Sequence, residues 1–206
     1  MIFKRLNEDV IVIETGKAVA LSDKLISDSP FEEVWASNSE IAIRLRRNQS
    51  EEDVHRTIQL LNERAEKNSI EYEIPICYEL GLDLEWVTDF LSLPTDEIIE
   101  LHLGTTYDLS YGFTPGFCYL NGMPEKLFCP RMETPRLKLP AGSVGIGGNS
   151  TGIYSLETPG GWRIIGRTPL ELFNIDKDPP NLFESGAKVR FKRISKSEFE
   201  NWDGGA

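Results

Sequence analysis

Histidine and cysteine are scarce in this chain. Its 206 residues include two histidines, His55 and His102, and three cysteines, Cys77, Cys118 and Cys129. An odd number of widely spaced cysteines makes no disulfide framework, and no Cys-x-x-Cys or His-x-x-x-His pair supplies metal-ligand spacing. Long apolar runs are missing as well. The longest, such as Val10 to Ile13, fall far below the ~20 residues that span a bilayer. Charge appears too early in Met1-Ile2-Phe3-Lys4-Arg5-Leu6-Asn7-Glu8-Asp9 for a secretory leader. Cations are in deficit, 22 against 33 anions, and the net charge of −11 would repel a nucleic-acid backbone. A Gly-x-x-x-x-Gly-Lys-Ser/Thr phosphate loop is also lacking, since no lysine follows the glycine-rich run from Gly142 to Gly148. These absences predict a reduced, cytoplasmic protein with no membrane, metal or nucleic-acid role of its own.

The remaining composition is that of a globular protein, with 40% hydrophobic and 27% charged residues. The first part reads as α+β. Val10 to Ile13, Phe31 to Ala36 and Ile41 to Leu45 have strand character, the last two joined by Ser37-Asn38-Ser39. Ser50-Glu51-Glu52-Asp53 forms a capping box before a helix whose Val54, Ile58, Leu61 and Ala65 share a face. Glu73 to Tyr78 returns to strand, Leu84 to Leu91 is a short amphipathic helix, and Pro94 opens another over Thr95 to Leu101. Eight of the 17 glycines then fall between Gly142 and Gly166, and seven of the 12 prolines between Pro115 and Pro169. Short β-type segments alternate with them: Thr105 to Tyr111, Ser143 to Ile146, Gly152 to Leu156, Trp162 to Gly166 and Lys188 to Ile194. This pattern predicts a barrel or sandwich. The expected organisation is a small α+β N-terminal domain over residues 1–90 and a mainly β domain over residues 91–206.

Charge is distributed unevenly. Residues 112–169 hold six cations (Lys126, Arg131, Arg136, Lys138, Arg163 and Arg167) and three anions (Glu125, Glu133 and Glu157), so this segment is +3 within a chain of −11. A basic island in an acidic protein fits a small anionic ligand or an acidic partner surface. Arg131 and Arg136 follow prolines, and Arg167 precedes Thr168-Pro169, so restricted backbone lowers the entropy lost when a guanidinium binds an anion. Arg131, Arg136, Arg163 and Arg167 are therefore the candidate carboxylate or phosphate ligands. The alternative is ion pairing with Glu125, Glu133 or Glu157. Phe113, Phe117, Tyr119, Tyr154 and Trp162 are candidate pocket walls, or else barrel core. His102, at the end of the Pro94 helix, is the candidate for proton transfer, with a helix-capping role as the alternative. Gly148-Asn149-Ser150-Thr151-Gly152 has the form of a nucleophile elbow, but that fold places its histidine after the serine, and both histidines here precede it.

The segments Gly112-Phe113-Thr114-Pro115-Gly116-Phe117-Cys118-Tyr119-Leu120, Cys129-Pro130-Arg131, Thr134-Pro135-Arg136, Pro140-Ala141-Gly142-Ser143-Val144 and Thr158-Pro159-Gly160-Gly161-Trp162-Arg163-Ile164-Ile165-Gly166-Arg167-Thr168-Pro169 together resemble the KipI/PxpB family, also called allophanate hydrolase subunit 1. The match runs from His102 to Phe173. The resemblance implies a cyclophilin-like β-barrel after a smaller α+β domain. It also implies work with a KipA/PxpC-type subunit and, together with a PxpA-type subunit, an ATP-dependent 5-oxoprolinase that opens 5-oxoproline to glutamate. Two other roles occur with these motifs: inhibition of a sensor histidine kinase, and a carboxyltransferase subunit acting on urea or a similar amide.

Overall fold

A computed structural model describes residues 1–15, 21, 25, 30–36, 40–67, 70–112, 114–184 and 186–203, without the side chains of residues 61–67. Phe113, the Ser37-Asn38-Ser39 connection and the side chains of Leu61 and Ala65 lie outside the described residues. The chain divides into two compact units, residues 1–70 and 71–206.

The first unit contains an antiparallel sheet in the order β1-β2-β4-β3, made of β1 (Ile2–Arg5), β2 (Val10–Glu14), β3 (Glu33–Ala36) and β4 (Glu40–Arg44). Alternation sends Ile11 and Ile13 of β2 and Ile41 and Ile43 of β4 to one buried face. Helix α1 (Glu51–Lys67) adds Val54 and Ile58 to that core. It starts as expected: the Ser50 amide donates to Asp53 Oδ2 at 2.8 Å, and the Asp53 amide donates back to Ser50 Oγ at 3.4 Å.

The second unit is mostly β, with few helices. Its main sheet has seven strands in the order β12-β9-β10-β7-β6-β13-β5. These are β5 (Glu71–Ile76), β6 (Tyr107–Tyr111), β7 (Cys118–Asn121), β9 (Ser143–Gly147), β10 (Ser150–Ile153), β12 (Arg163–Arg167) and β13 (Lys188–Arg193). Two further strands, β8 (Arg136–Leu139) and β11 (Thr158–Gly160), form a separate pair. The sheet curls until its two edge strands meet at one place, where Cys77 and Arg167 exchange backbone hydrogen bonds of 2.8 and 3.0 Å. Residues 71–90, assigned by sequence to the N-terminal part, belong instead to this second unit. The reason is long-range pairing: β5 lies parallel to β13, over the register Glu71↔Lys188 to Ile76↔Arg193.

Strand alternation gives the sheet two apolar faces. The inner face presents Tyr107, Leu109, Cys118, Leu120, Val144, Ile146 and Ile153. Against it pack α2 (Leu84–Leu91) through Val87 and α3 (Thr95–Leu103) through Ile98, Ile99 and His102. The outer face presents Phe117, Tyr154, Trp162 and Ile164, joined by Leu139 of β8. A last short helix, α4 (Lys196–Glu200), is closed by a capping box between Ser195 and Glu198.

Candidate functional site

The outer face gathers four of the five expected aromatic residues. Phe117 is the hub, with ring centroids 4.8 Å from Tyr119, 5.0 Å from Tyr154 and 5.5 Å from Trp162. The contacts are edge-to-face, the arrangement ring quadrupoles favour. Phe117, Tyr154 and Trp162 are buried, whereas Tyr119 is partly open. Glycine explains how Trp162 lies flat on the strands. A Cβ on Gly147 would come within 2.7 Å of its ring, and one on Gly152 would come within 3.0 Å of it and 2.8 Å of the Cys118 carbonyl. The glycine-rich stretch is thus a seat for an indole.

Arg131 occupies the open side of this cluster. It is exposed, its guanidinium carbon is 5.1 Å from the Trp162 ring centroid, and no ion pair engages it among the described residues. The neighbouring chain is fixed by the Met132 amide, which donates to the Gly161 carbonyl at 2.7 Å. The Arg131 charge opposes the upward push of burial on the Tyr154 phenol, although burial wins. A cation on an aromatic platform, with its fork open to solvent, is arranged to receive a small anion.

The other three arginines do not join it. Arg136 grips Asp83 with both forks, Nη1 to Oδ2 at 2.9 Å and Nη2 to Oδ1 at 2.7 Å. Asp83 also accepts the Ile164 amide at 2.7 Å, and its side chain is only 6% exposed. Arg163 lies 3.9 Å from the same carboxylate and stacks 3.5 Å over Trp86, with a buried Nε that has no partner. Arg167 donates from Nε to the Ala141 carbonyl at 2.9 Å and faces Phe199. The carboxylate that organises Arg136 and Arg163 is therefore Asp83, not Glu125, Glu133 or Glu157. Asp83 stands at the N-cap of α2, where an aspartate is expected to cap, yet its side chain makes no cap hydrogen bond.

His102 is enclosed on the inner face, with no exposed surface. Thr151 Oγ1 donates to the Gly145 carbonyl at 3.0 Å, so it accepts from His102 Nε2–H at 3.0 Å. His102 Nδ1 then accepts the Tyr78 hydroxyl proton at 2.7 Å. The ring stacks on Phe191 at 4.5 Å, and burial pushes its pKa down to about 3. Both nitrogens are committed and the imidazole is neutral, so the geometry is that of a core histidine, not of an open acid or base. Ser150 does not complete a triad with it. It neighbours Thr151, whose side chain points inward, and its hydroxyl meets Asn149 Oδ1 at 3.3 Å. The sequence around it forms a β9–β10 hairpin with Gly148 at φ +68°, not a strand-to-helix elbow.

Cys118 and Cys129 are buried, and burial pushes their thiols up to about 12 and about 11, so neither is a ready nucleophile. Among the described residues no cluster of histidine, cysteine, aspartate or glutamate is placed to hold a metal ion. Nor do the arginines form a triphosphate cradle: two are held at Asp83, and the remaining two have different surroundings.

Residues 6–183 fit the family model described as carboxyltransferase domain, subdomain C and D. The chain belongs to this family, which bears out the KipI/PxpB resemblance. It is 43% identical over 150 residues to the B-type subunit of 5-oxoprolinase from Bacillus subtilis, an alignment covering 71% of this chain and 62% of that one. The chain thus spans about three-fifths of that relative's length. A conserved uncharacterized protein of Pyrococcus horikoshii is 37% identical, with a TM-score of 0.61, covering 96% of this chain and all of its own. Urea carboxylase of Kluyveromyces lactis, at 13% identity and a TM-score of 0.57, covers 96% of this chain and 22% of its own, and shares the fold.

Proposed function

We propose that the chain is the B-type subunit of an ATP-dependent 5-oxoprolinase, in which it supplies the carboxylate-binding corner for 5-oxoproline. The observation that carries this is Arg131, an exposed guanidinium seated on Trp162 with no carboxylate of its own among the described residues. 5-Oxoproline is a flat lactam with one carboxylate, so an arginine fork and adjoining aromatic faces suit it. The naming of similar proteins as B-type subunits of 5-oxoprolinase supports the subunit reading. In this reading the two units are an α+β domain and a cyclophilin-like barrel. The partner is a KipA/PxpC-type chain, with a PxpA-type chain as third component, and this chain alone is inactive. ATP and the proton-transferring group are assigned to the other subunits, because the arginines here make no triphosphate cradle and His102 is sealed in the core.

The test is to reconstitute the chain with both partners and follow ATP hydrolysis that depends on 5-oxoproline. The expected result is a stable complex, with activity only when all components are present. Arg131→Lys should raise KM for 5-oxoproline about tenfold to a hundredfold at unchanged Tm, as loss of a bidentate charge-assisted contact requires. Independent monomers on co-purification, hydrolysis by this chain alone, or an unchanged KM would overturn the reading. Biotin-dependent carboxyl transfer to urea by the same complex would replace it with the carboxyltransferase alternative.

A further inference from the structure

The tip of the β9–β10 hairpin brings a carboxamide to the open side of the Trp162 platform. Gly147 lies beneath the indole, and its cross-strand partner is Ser150. Paired residues of a hairpin send their side chains to one face, so Ser150 points to the outer face, just as Thr151 points inward to His102. The Ser150 hydroxyl donates to Asn149 Oδ1 at 3.3 Å, which draws the Asn149 carboxamide to the outer face as well. Arg131 reaches the same place from another loop. The Gly148 amide donates to the Cys129 carbonyl at 2.8 Å, and Pro130-Arg131 follows directly. Hairpin tip and arginine loop are thus tied together beside the indole. The tip leaves room for a guest, since a Cβ on Gly148 would meet nothing within 4 Å.

Asn149 is exposed, and among the described residues the Ser150 hydroxyl is the partner its carboxamide has. A lone pair of Oδ1 and both Nδ2 hydrogens are left over. A carboxamide in this condition offers a donor and an acceptor on one edge. The small ring of 5-oxoproline holds its amide cis, so its N–H and C=O also share one edge, in the complementary order. Only asparagine and glutamine side chains can meet both groups at once, because a carboxylate has no donor and an ammonium or guanidinium no acceptor. We propose that Asn149 is the specificity-determining residue for the lactam, pairing through Oδ1 with the ring N–H and through Nδ2 with the ring carbonyl, while Arg131 holds the carboxylate. This role rests on the carboxylate corner proposed above and extends it from the anion to the amide. Ser150 is the positioning residue, since its hydroxyl fixes which way the carboxamide faces. Glutamate, the ring-opened form, keeps a carboxylate for Arg131 but has no cis amide, so the contact at Asn149 is made by the substrate and not by the product.

The test measures equilibrium binding to the full chain assembled with both partners. The probes are 5-oxoproline and cyclopentanecarboxylate, which keeps the ring and the carboxylate but has no amide. 5-Oxoproline should bind at least about tenfold more tightly than the analogue. Asn149→Ala, an exposed change at a turn, should abolish that preference: 5-oxoproline weakens about tenfold, the analogue stays within about twofold, and Tm does not move. Ser150→Ala, which releases the carboxamide without removing it, should reduce the preference several-fold. Arg131→Lys should weaken both ligands alike. Equal binding of the two ligands by the native complex, or an Asn149→Ala variant that weakens both or neither, overturns the role of Asn149, and the carboxylate corner survives if Arg131→Lys still weakens both. If Arg131→Lys changes neither ligand, the corner itself is overturned and the pairing at Asn149 falls with it.

Discussion

Asp83 is the residue on which one side of the second unit turns. It joins α2, β8 and β12 through two arginines and one backbone amide, and it is almost completely buried. Removing one partner of such a group leaves the others buried and unpaired, at a cost of about 3–5 kcal/mol. Asp83→Asn and Arg136→Lys should therefore lower the unfolding free energy by several kcal/mol in denaturant titrations, whereas Arg131→Lys should leave it within about 0.5 kcal/mol. His102 makes a second prediction. It is neutral in the fold, with a pKa near 3, and it takes up a proton near the usual ~6.5 once unfolded. The unfolded state binds the extra proton, so the stability His102 contributes is complete above about pH 6.5 and drains as pH falls towards 3. Between pH 7 and pH 5 the native chain should lose about 2 kcal/mol more than His102→Gln, measured as the difference in pH dependence and not in absolute stability. At this scale the sequence was a partial guide. Proline-flanked arginines stand out in the sequence, but Asp83 lies 53 positions before Arg136, and nothing local distinguishes it from nearer carboxylates such as Glu133. His102 was legible as a special residue, but its burial depends on Tyr78 and Thr151, 24 and 49 positions away.

Among the elements, β9 and β10 act as a saddle for Trp162, which requires that Gly147 and Gly152 have no side chain. Gly147→Ala should tilt the indole, destabilise the unit by about 1–3 kcal/mol through overpacking, and alter tryptophan fluorescence. An unchanged spectrum and stability would mean that the seat is looser than its geometry implies. Most elements on the main sheet were readable because their alternation is regular: β6, β9, β12 and β13 appear within two residues of the expected segments. Helices α2 and α3 also appear where their periodicity puts them. Others gave no such signal. β1 buries no complete side chain, so it lacks an apolar stripe, and Thr158-Pro159-Gly160 of β11 pairs only with β8 at a shifted register. Such strands exist because a neighbour presents an edge, and their own residues do not announce them.

For the molecule as a whole, the position of β5 decides where it can be cut. All seven strands of the main sheet, Tyr78 and Asp83 lie within residues 71–206. A fragment starting at residue 71 should fold cooperatively and keep the native Trp162 fluorescence. A fragment starting at residue 91, the boundary the sequence favoured, loses an edge strand, the hydroxyl bonded to His102 and the anchor of Arg136, and should show no cooperative transition on heating. The parallel pairing of β5 with β13 also sets an order of events during synthesis. The first strand of the sheet leaves the ribosome more than a hundred residues before its partner, because Glu71 pairs with Lys188. At ~5–20 residues per second, it waits on the order of ten seconds with Ile74 and Ile76 uncovered. During that interval the nascent chain is a substrate for whatever shields apolar segments in its host.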